Sequence, residues 1–103
     1  MNHEKVRLAG KEADTYVIPF GPLNLVALVS ASGAIACGLA DVSVLDRFNY
    51  PAARMRSSTD SPISDIKDLL DGNVRESNQS ASALGIKIGM TGHEVLKKLY
   101  ATP

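Results

Sequence analysis

The sequence predicts an α+β fold, a small antiparallel or mixed sheet of about four to five strands with three to four helices packed on it. Two observations predict it. Apolar and β-branched runs bounded by turn residues fill the first half, and capped segments with three- and four-residue apolar spacing fill the second. The 103 residues are also the usual size of one domain, so residues 1–103 are expected to share a single core. Hydrophobic residues make up 45% and charged ones 21%, which is enough apolar material for a core without disulfide staples.

The elements follow in order. His3 to Ala9 alternates, with Val6 and Leu8 on one side and Lys5 and Arg7 on the other, as a half-buried strand does. The polar GKEAD segment reads as a turn. Thr15 to Phe20 is β-branched and aromatic. Pro19 has no N–H for a ladder and so marks an edge or a strand end. Leu23 to Ser30 is apolar on both faces and is expected as a central, doubly covered strand. After the turn Ser30–Gly33, the segment Ala34 to Gly38 returns as a short strand, with Ile35 and Cys37 on one face and Ala34 and Ala36 on the other.

Asp41 is placed to cap a helix from Val42 to Asn49 whose buried stripe is Val42, Leu45 and Phe48. Ala52 to Ser57 reads as a further strand carrying Arg54 and Arg56 outward. Ser61 before Pro62 signals a helix start, Ile63, Ile66, Leu69 and Leu70 form its apolar face, and Gly72 closes it. Val74 to Leu84 reads as a poorer helix, with Val74, Ser77, Ala81 and Leu84 aligned and Gly85 capping its end. Thr91 and Glu94 form a capping box for a last helix that buries Val95, Leu96, Leu99 and Tyr100.

Composition narrows the function classes. Eleven basic and eleven acidic side chains cancel, so no overall field draws in nucleic acid or anionic membrane. Little charge keeps copies apart, and a homo-oligomer is expected. One cysteine cannot form an internal disulfide, and the polar start of the chain lacks the apolar run of a signal peptide, so a cytoplasmic location is expected. No charge occurs between Thr15 and Ala40, but Pro19, Pro22, Asn24 and the Ser30–Gly33 turn break any continuous spanning helix.

Three segments together carry a resemblance: Pro22 to Leu25 (PLNL), Ala36 to Val42 (ACGLADV) and Leu84 to Gly92 (LGIKIGMTG). They resemble the YunC-like proteins, small bacterial and archaeal domains, over the chain from about Leu23 onward. The resemblance implies an α+β fold and brings no activity with it. It also implies a short Gly-containing turn between strand and helix, where this chain has a longer polar loop, Ser57 to Ser64.

Cys37 is the first candidate site residue. It sits at a strand end near a helix start, where free N–H groups favour a thiolate nucleophile with Asp41 or His93 assisting. The other reading is a small buried hydrophobe, which most free cysteines are. Apolar neighbours and the carboxylate of Asp41 both oppose a thiolate. Gly38 supplies the sharp turn that follows. A ligand site at the corner Cys37, Gly38 and Asp41, with Asn24 from the neighbouring strand, is the leading expectation, and its occupant is a small molecule or an anion. No second cysteine and no H-E-x-x-H pattern supports a metal, and no cofactor is implied.

Gly89, Thr91 and Gly92 form a second candidate. Gly89 to Gly92 matches the G-x-x-G loop that clamps a nucleic-acid backbone, and a helix start there can hold an anion. The neutral chain and the lack of stacking aromatics make nucleic acid the weakest partner, and a corner between two helices is the simpler reading. Arg47, Arg54 and Arg56 suit carboxylates and phosphates, or form a solvated face paired with Asp46 or Asp60.

Overall fold

A computed structural model describes residues 2–8 and 10–101. Six strands lie side by side in chain order: β1 (Asn2–Leu8), β2 (Lys11–Phe20), β3 (Leu23–Val29), β4 (Ala34–Ala36), β5 (Ala52–Arg56) and β6 (Asn73–Ser77). All neighbours are antiparallel except β4 and β5, which run parallel. A 3₁₀ helix (Ser43–Phe48) lies in the β4–β5 crossover, and α1 (Ile66–Asp71), α2 (Gln79–Ala83) and α3 (Gly92–Tyr100) follow. The α+β class holds, with more strands than the four to five expected.

The first extra length comes from the GKEAD segment, whose Lys11 to Asp14 are strand while Gly10, with φ +79°, keeps the expected turn. Ala13 and Thr15 are buried, while Glu12 and Asp14 lie across from Arg7 and Lys5 and pair with them at 3.4 and 3.6 Å. Cross-strand charges on the wet face and small apolar groups on the dry one give this polar-looking segment a strand's alternation. Pro19 sits opposite Asn24 near the end of β2, where a missing N–H costs least. Ala9 and the side chain of Leu8 lie outside what is described.

β3 is central, but its two faces are unequal. Val26 and Leu28 are fully buried in the main core, while Ala27 and Val29 on the opposite face are half-buried. That core also takes Ile35, Met55, Leu69, Val95 and Leu99, and so lies between the sheet and the helices α1 and α3. A smaller cluster of Ala34, Val42 and Ala52 packs with Leu45 and Tyr50.

The crossover departs from its expected helix. It is a 3₁₀ segment whose N-cap is Val42, without a side-chain cap. Asp41 instead closes a turn on its own, accepting from the Ser43 N–H at 3.0 Å and its hydroxyl at 2.6 Å. Phe48 is 73% exposed rather than buried. Tyr50 takes the place expected for it, packing on the cluster and donating its hydroxyl to the Ser30 carbonyl at 2.6 Å.

The next helix begins later than Ser61–Pro62. Asp65 accepts from the Asp68 N–H at 2.8 Å, and Asp68 reaches back to the Ser64 N–H at 3.1 Å. This reciprocal cap prevails over the proline signal. Ile63 remains buried, from the loop.

The helix expected from Val74 to Leu84 is a correction: it is β6 followed by α2. Asn78 makes the break. Its Oδ1 accepts from Ala81 N at 2.9 Å, capping α2, and from Ala52 N at 3.1 Å. Its Nδ2 donates to the carbonyls of Val42 (3.1 Å) and Tyr50 (2.9 Å). A residue unsuited to a helix interior is thus well suited to begin one. Gly85 ends α2 with φ +91°, and the Thr91–Glu94 capping box opens α3 as expected.

Candidate ligand-binding site

Because β4 and β5 are parallel, their C-terminal ends meet at one end of the sheet, where the antiparallel neighbours β3 and β6 begin. Four strand ends therefore surround one space. The polar loop Ser57–Ser64 crosses beside it, held by hydroxyl bonds among Ser57, Thr59 and Ser61 and by Asn24, whose Nδ2 donates to the Ser64 carbonyl at 3.0 Å. The result is a cavity of about 330 Å³.

Asn24, Cys37 and Gly38 all line it. Cys37 is 3% exposed, and its sulfur has a structural partner. The Cys37 N–H bonds the Val26 carbonyl at 2.9 Å, but the Cys37 carbonyl turns away to receive Ala40 N at 3.2 Å. The Val26 N–H, left without a backbone acceptor, donates to Cys37 Sγ at 3.3 Å. Gly38 is not demanded by its turn. Its φ is not positive, and the nearest atom to an added Cβ is the Met55 carbonyl at 4.0 Å.

Asp41 does not line the cavity. Its hydrogen bonds from the Ser43 hydroxyl and N–H hold its carboxyl below the usual range, with the charge of Arg54 adding to them. Neither histidine lines it either. His93 Nε2 lies 3.3 Å from Asp71, and His3 stacks on Tyr16 with Nε2 2.9 Å from Asp14. The structure therefore does not bring Cys37 together with an imidazole.

The second candidate lies elsewhere. Gly89 N bonds the Val74 carbonyl (2.9 Å), Met90 N that of Lys87 (3.2 Å), Thr91 N the Glu94 carboxylate (3.0 Å) and Gly92 N the Gly72 carbonyl (3.2 Å). The four N–H groups that a G-x-x-G clamp would offer are thus engaged within the fold. Gly89 has φ +94° in open space, so it serves a turn. Gly92 does serve packing: an added Cβ would lie 2.6 Å from Leu70 Cα.

Among the described residues, three arginines line the cavity, Arg54, Arg56 and Arg75, and no Asp or Glu does. Arg54 pairs with Glu76 at 3.0 Å rather than with Asp46 or Asp60, and its Nη1 reaches the Gly38 carbonyl at 3.5 Å. Asp46 instead receives Gln79 N at 3.0 Å and Ser80 N at 3.1 Å at the start of α2. Arg75 was missed because Val74 to Leu84 was read as helix. The alternation of Val74, Arg75 and Glu76 directly after Gly72 was the available signal. Apolar side chains complete the walls, with Met55 and Ile63 from the core and Leu23 and Leu39 at the mouth. Among the described residues, no group of three His, Cys, Asp or Glu side chains could hold a metal ion, and no helix is long and apolar enough to cross a membrane.

Comparison with known proteins follows the same outline. The chain is 26% identical over 99 residues to the uncharacterized protein YunC of Bacillus subtilis (strain 168), covering 96% of this chain and 97% of that protein. Its fold is similar to the crystal structure of a protein of unknown function, TA1206, from Thermoplasma acidophilum. The TM-score is 0.83 at 21% identity, over 95% of this chain and 91% of that one. A family profile described as a domain of unknown function, DUF1805, matches residues 36–99, a span that contains Cys37, Gly38 and all three cavity arginines. With more than half of its length matched, the chain belongs to the DUF1805 family.

Proposed function

We propose that this protein is a small-ligand-binding module whose site is the cavity at the strand ends. The observation that carries the reading is the convergence of Asn24, Cys37 and Gly38 with Met55, Ile63 and Leu39 around one space of about 330 Å³. That volume is at the lower end for small-molecule sites, and the mix of apolar walls with few polar groups is typical of them. Its position outside the carboxyl ends of two parallel strands is also where open sheets hold ligands.

The test is a methyl-labelled spectrum titrated with a fragment set. Fragments should shift Met55, Ile63 and Leu39 while leaving Leu69 and Val95 in place. A set that moves none of the cavity methyls would end the proposal.

Catalysis by Cys37 is the weaker reading, because its thiol is engaged by Val26 and Asn24 and no imidazole lines the space. It predicts rapid alkylation of the folded protein near neutral pH, whereas the binding reading predicts modification only after denaturant is added. Phosphate-backbone binding at Gly89–Gly92 ranks lower still, for want of free N–H groups. We further propose a cytoplasmic homo-oligomer or protein-interaction module. Its support is the zero net charge and the exposed Phe20, Phe48 and Ile88.

A further inference from the structure

Arg56 and Arg75 are exposed side chains that line the cavity, and neither has an ion pair among the described residues. Glu76 offsets the charge of Arg54 alone. The backbone sets this arrangement. Between Arg54 and Met55 the β5–β6 register shifts: Arg54 faces Glu76 and Met55 faces Val74, so Arg75 is the extra residue with no partner across the ladder. A bulge re-aims a side chain that regular alternation would send elsewhere. Here it lets Val74 face the core beside Met55 while Glu76 pairs Arg54 on the other face.

The mouth has a second feature. Leu23 and Leu39, two of the exposed large hydrophobic side chains, sit on the same rim as these guanidinium groups. Apolar side chains beside unpaired guanidinium groups offer the two kinds of contact that an amphipathic ligand uses.

Resting on the ligand-binding reading above, we infer that the occupant is a small organic oxyanion with an apolar body. Its carboxylate or phosphate group lies between Arg56 and Arg75, and its hydrocarbon lies against Leu23, Leu39, Met55 and Ile63. Guanidinium forks match the geometry of such oxyanions, and bonds between charged partners are about twice as strong as neutral ones. The volume admits roughly ten non-hydrogen atoms at the density of liquid water, which is the scale of an aryl or short-chain acid.

The experiment uses the full chain and four probes: phenylpropionate, its uncharged amide, phenyl phosphate and inorganic phosphate. Affinity is read from cavity methyl shifts. The acid should bind at least roughly tenfold more tightly than the amide. Arg56→Gln and Arg75→Gln should each reduce acid binding by about tenfold and leave amide binding unchanged. Lys67→Gln, on α1 and away from the cavity, should change neither. Tighter binding of phenyl phosphate than of the acid would identify phosphate esters as the preferred source of the oxyanion.

Equal binding of acid and amide, unaffected by the arginine variants, would overturn the inference while the ligand-binding reading stood. Inorganic phosphate binding as tightly as phenyl phosphate would also overturn it, by removing the apolar requirement. Silence from every probe at the cavity methyls would overturn both.

Discussion

The N–H of Val26 has no carbonyl to meet, because Cys37 has given its own to Ala40, and the thiol fills the vacancy at 3.3 Å. Truncating that side chain to a methyl leaves a buried donor unsatisfied. Cys37→Ala should therefore cost about 1–2 kcal/mol in urea unfolding, less than a full amide bond because sulfur accepts weakly. An unchanged midpoint would mean that the sulfur contributes neither a hydrogen bond nor packing. Asn78 carries more. It is 4% exposed, and its side chain makes four hydrogen bonds that join the start of α2, the start of β5 and the crossover. Asn78→Ala should cost about 3 kcal/mol. Asn78→Asp should be no better, since a carboxylate oxygen would then face two carbonyls. A midpoint close to wild type for either variant would contradict this account. At this scale the sequence was legible in part. Cys37 was readable as buried and near Asn24, because its apolar neighbours and strand position follow from composition. That its sulfur replaces a backbone acceptor was not, since this depends on where one carbonyl turns.

Helix starts in this chain are held by carboxylates. Hydrogen bonds from Gln79 and Ser80 N–H groups hold Asp46 below its ordinary value, bonds from Ser64 do so for Asp68, and bonds from Thr91 do so for Glu94. The folded values lie below the unfolded ones, so the unfolded chain takes up protons first as pH falls. The stabilisation is complete above roughly pH 5 and is lost as pH drops below about 4, through the lowered folded values. Denaturant midpoints should hold steady from pH 7 to pH 5 and fall toward pH 3, with a shallower fall in Asp46→Ala; a flat profile would refute the assignment. At the junction of α1 and α3, Gly92→Ala should destabilise more than Gly89→Ala. The first meets the Leu69 and Leu70 backbone within 3 Å, while the second meets only an unfavourable dihedral. Reversal of that order would undo the packing account. Elements with strong local signals were readable, as in the Thr91–Glu94 box. β6 was not, because Asn73 to Ser77 is polar and its strand character comes from pairing with β5, a long-range fact.

For the molecule as a whole, the cavity is a product of topology. One parallel pairing, β4 beside β5, gathers residues from positions 23 to 75 of the chain at one end of the sheet. Sequence reasoning proposes the corner at Cys37 and omits Arg75, whose segment alternates locally but whose exact aim depends on the register shift opposite Arg54 and Met55. Light scattering after size exclusion should show more than one copy per particle, and a clean monomer at high concentration would remove the oligomer proposal. The two borders of the sheet limit what such a particle can be. Beyond β6, backbone bonds between Val74 and both Gly89 and Met90 cover the start of the border, and β1, the other border strand, carries the exposed His3, Glu4, Lys5 and Arg7. Charged side chains on a border strand cost desolvation when another strand docks, and a covering segment takes up the backbone groups that it would use. Strand-on-strand pairing between copies, the contact from which cross-β ribbons grow, is therefore disfavoured at both borders.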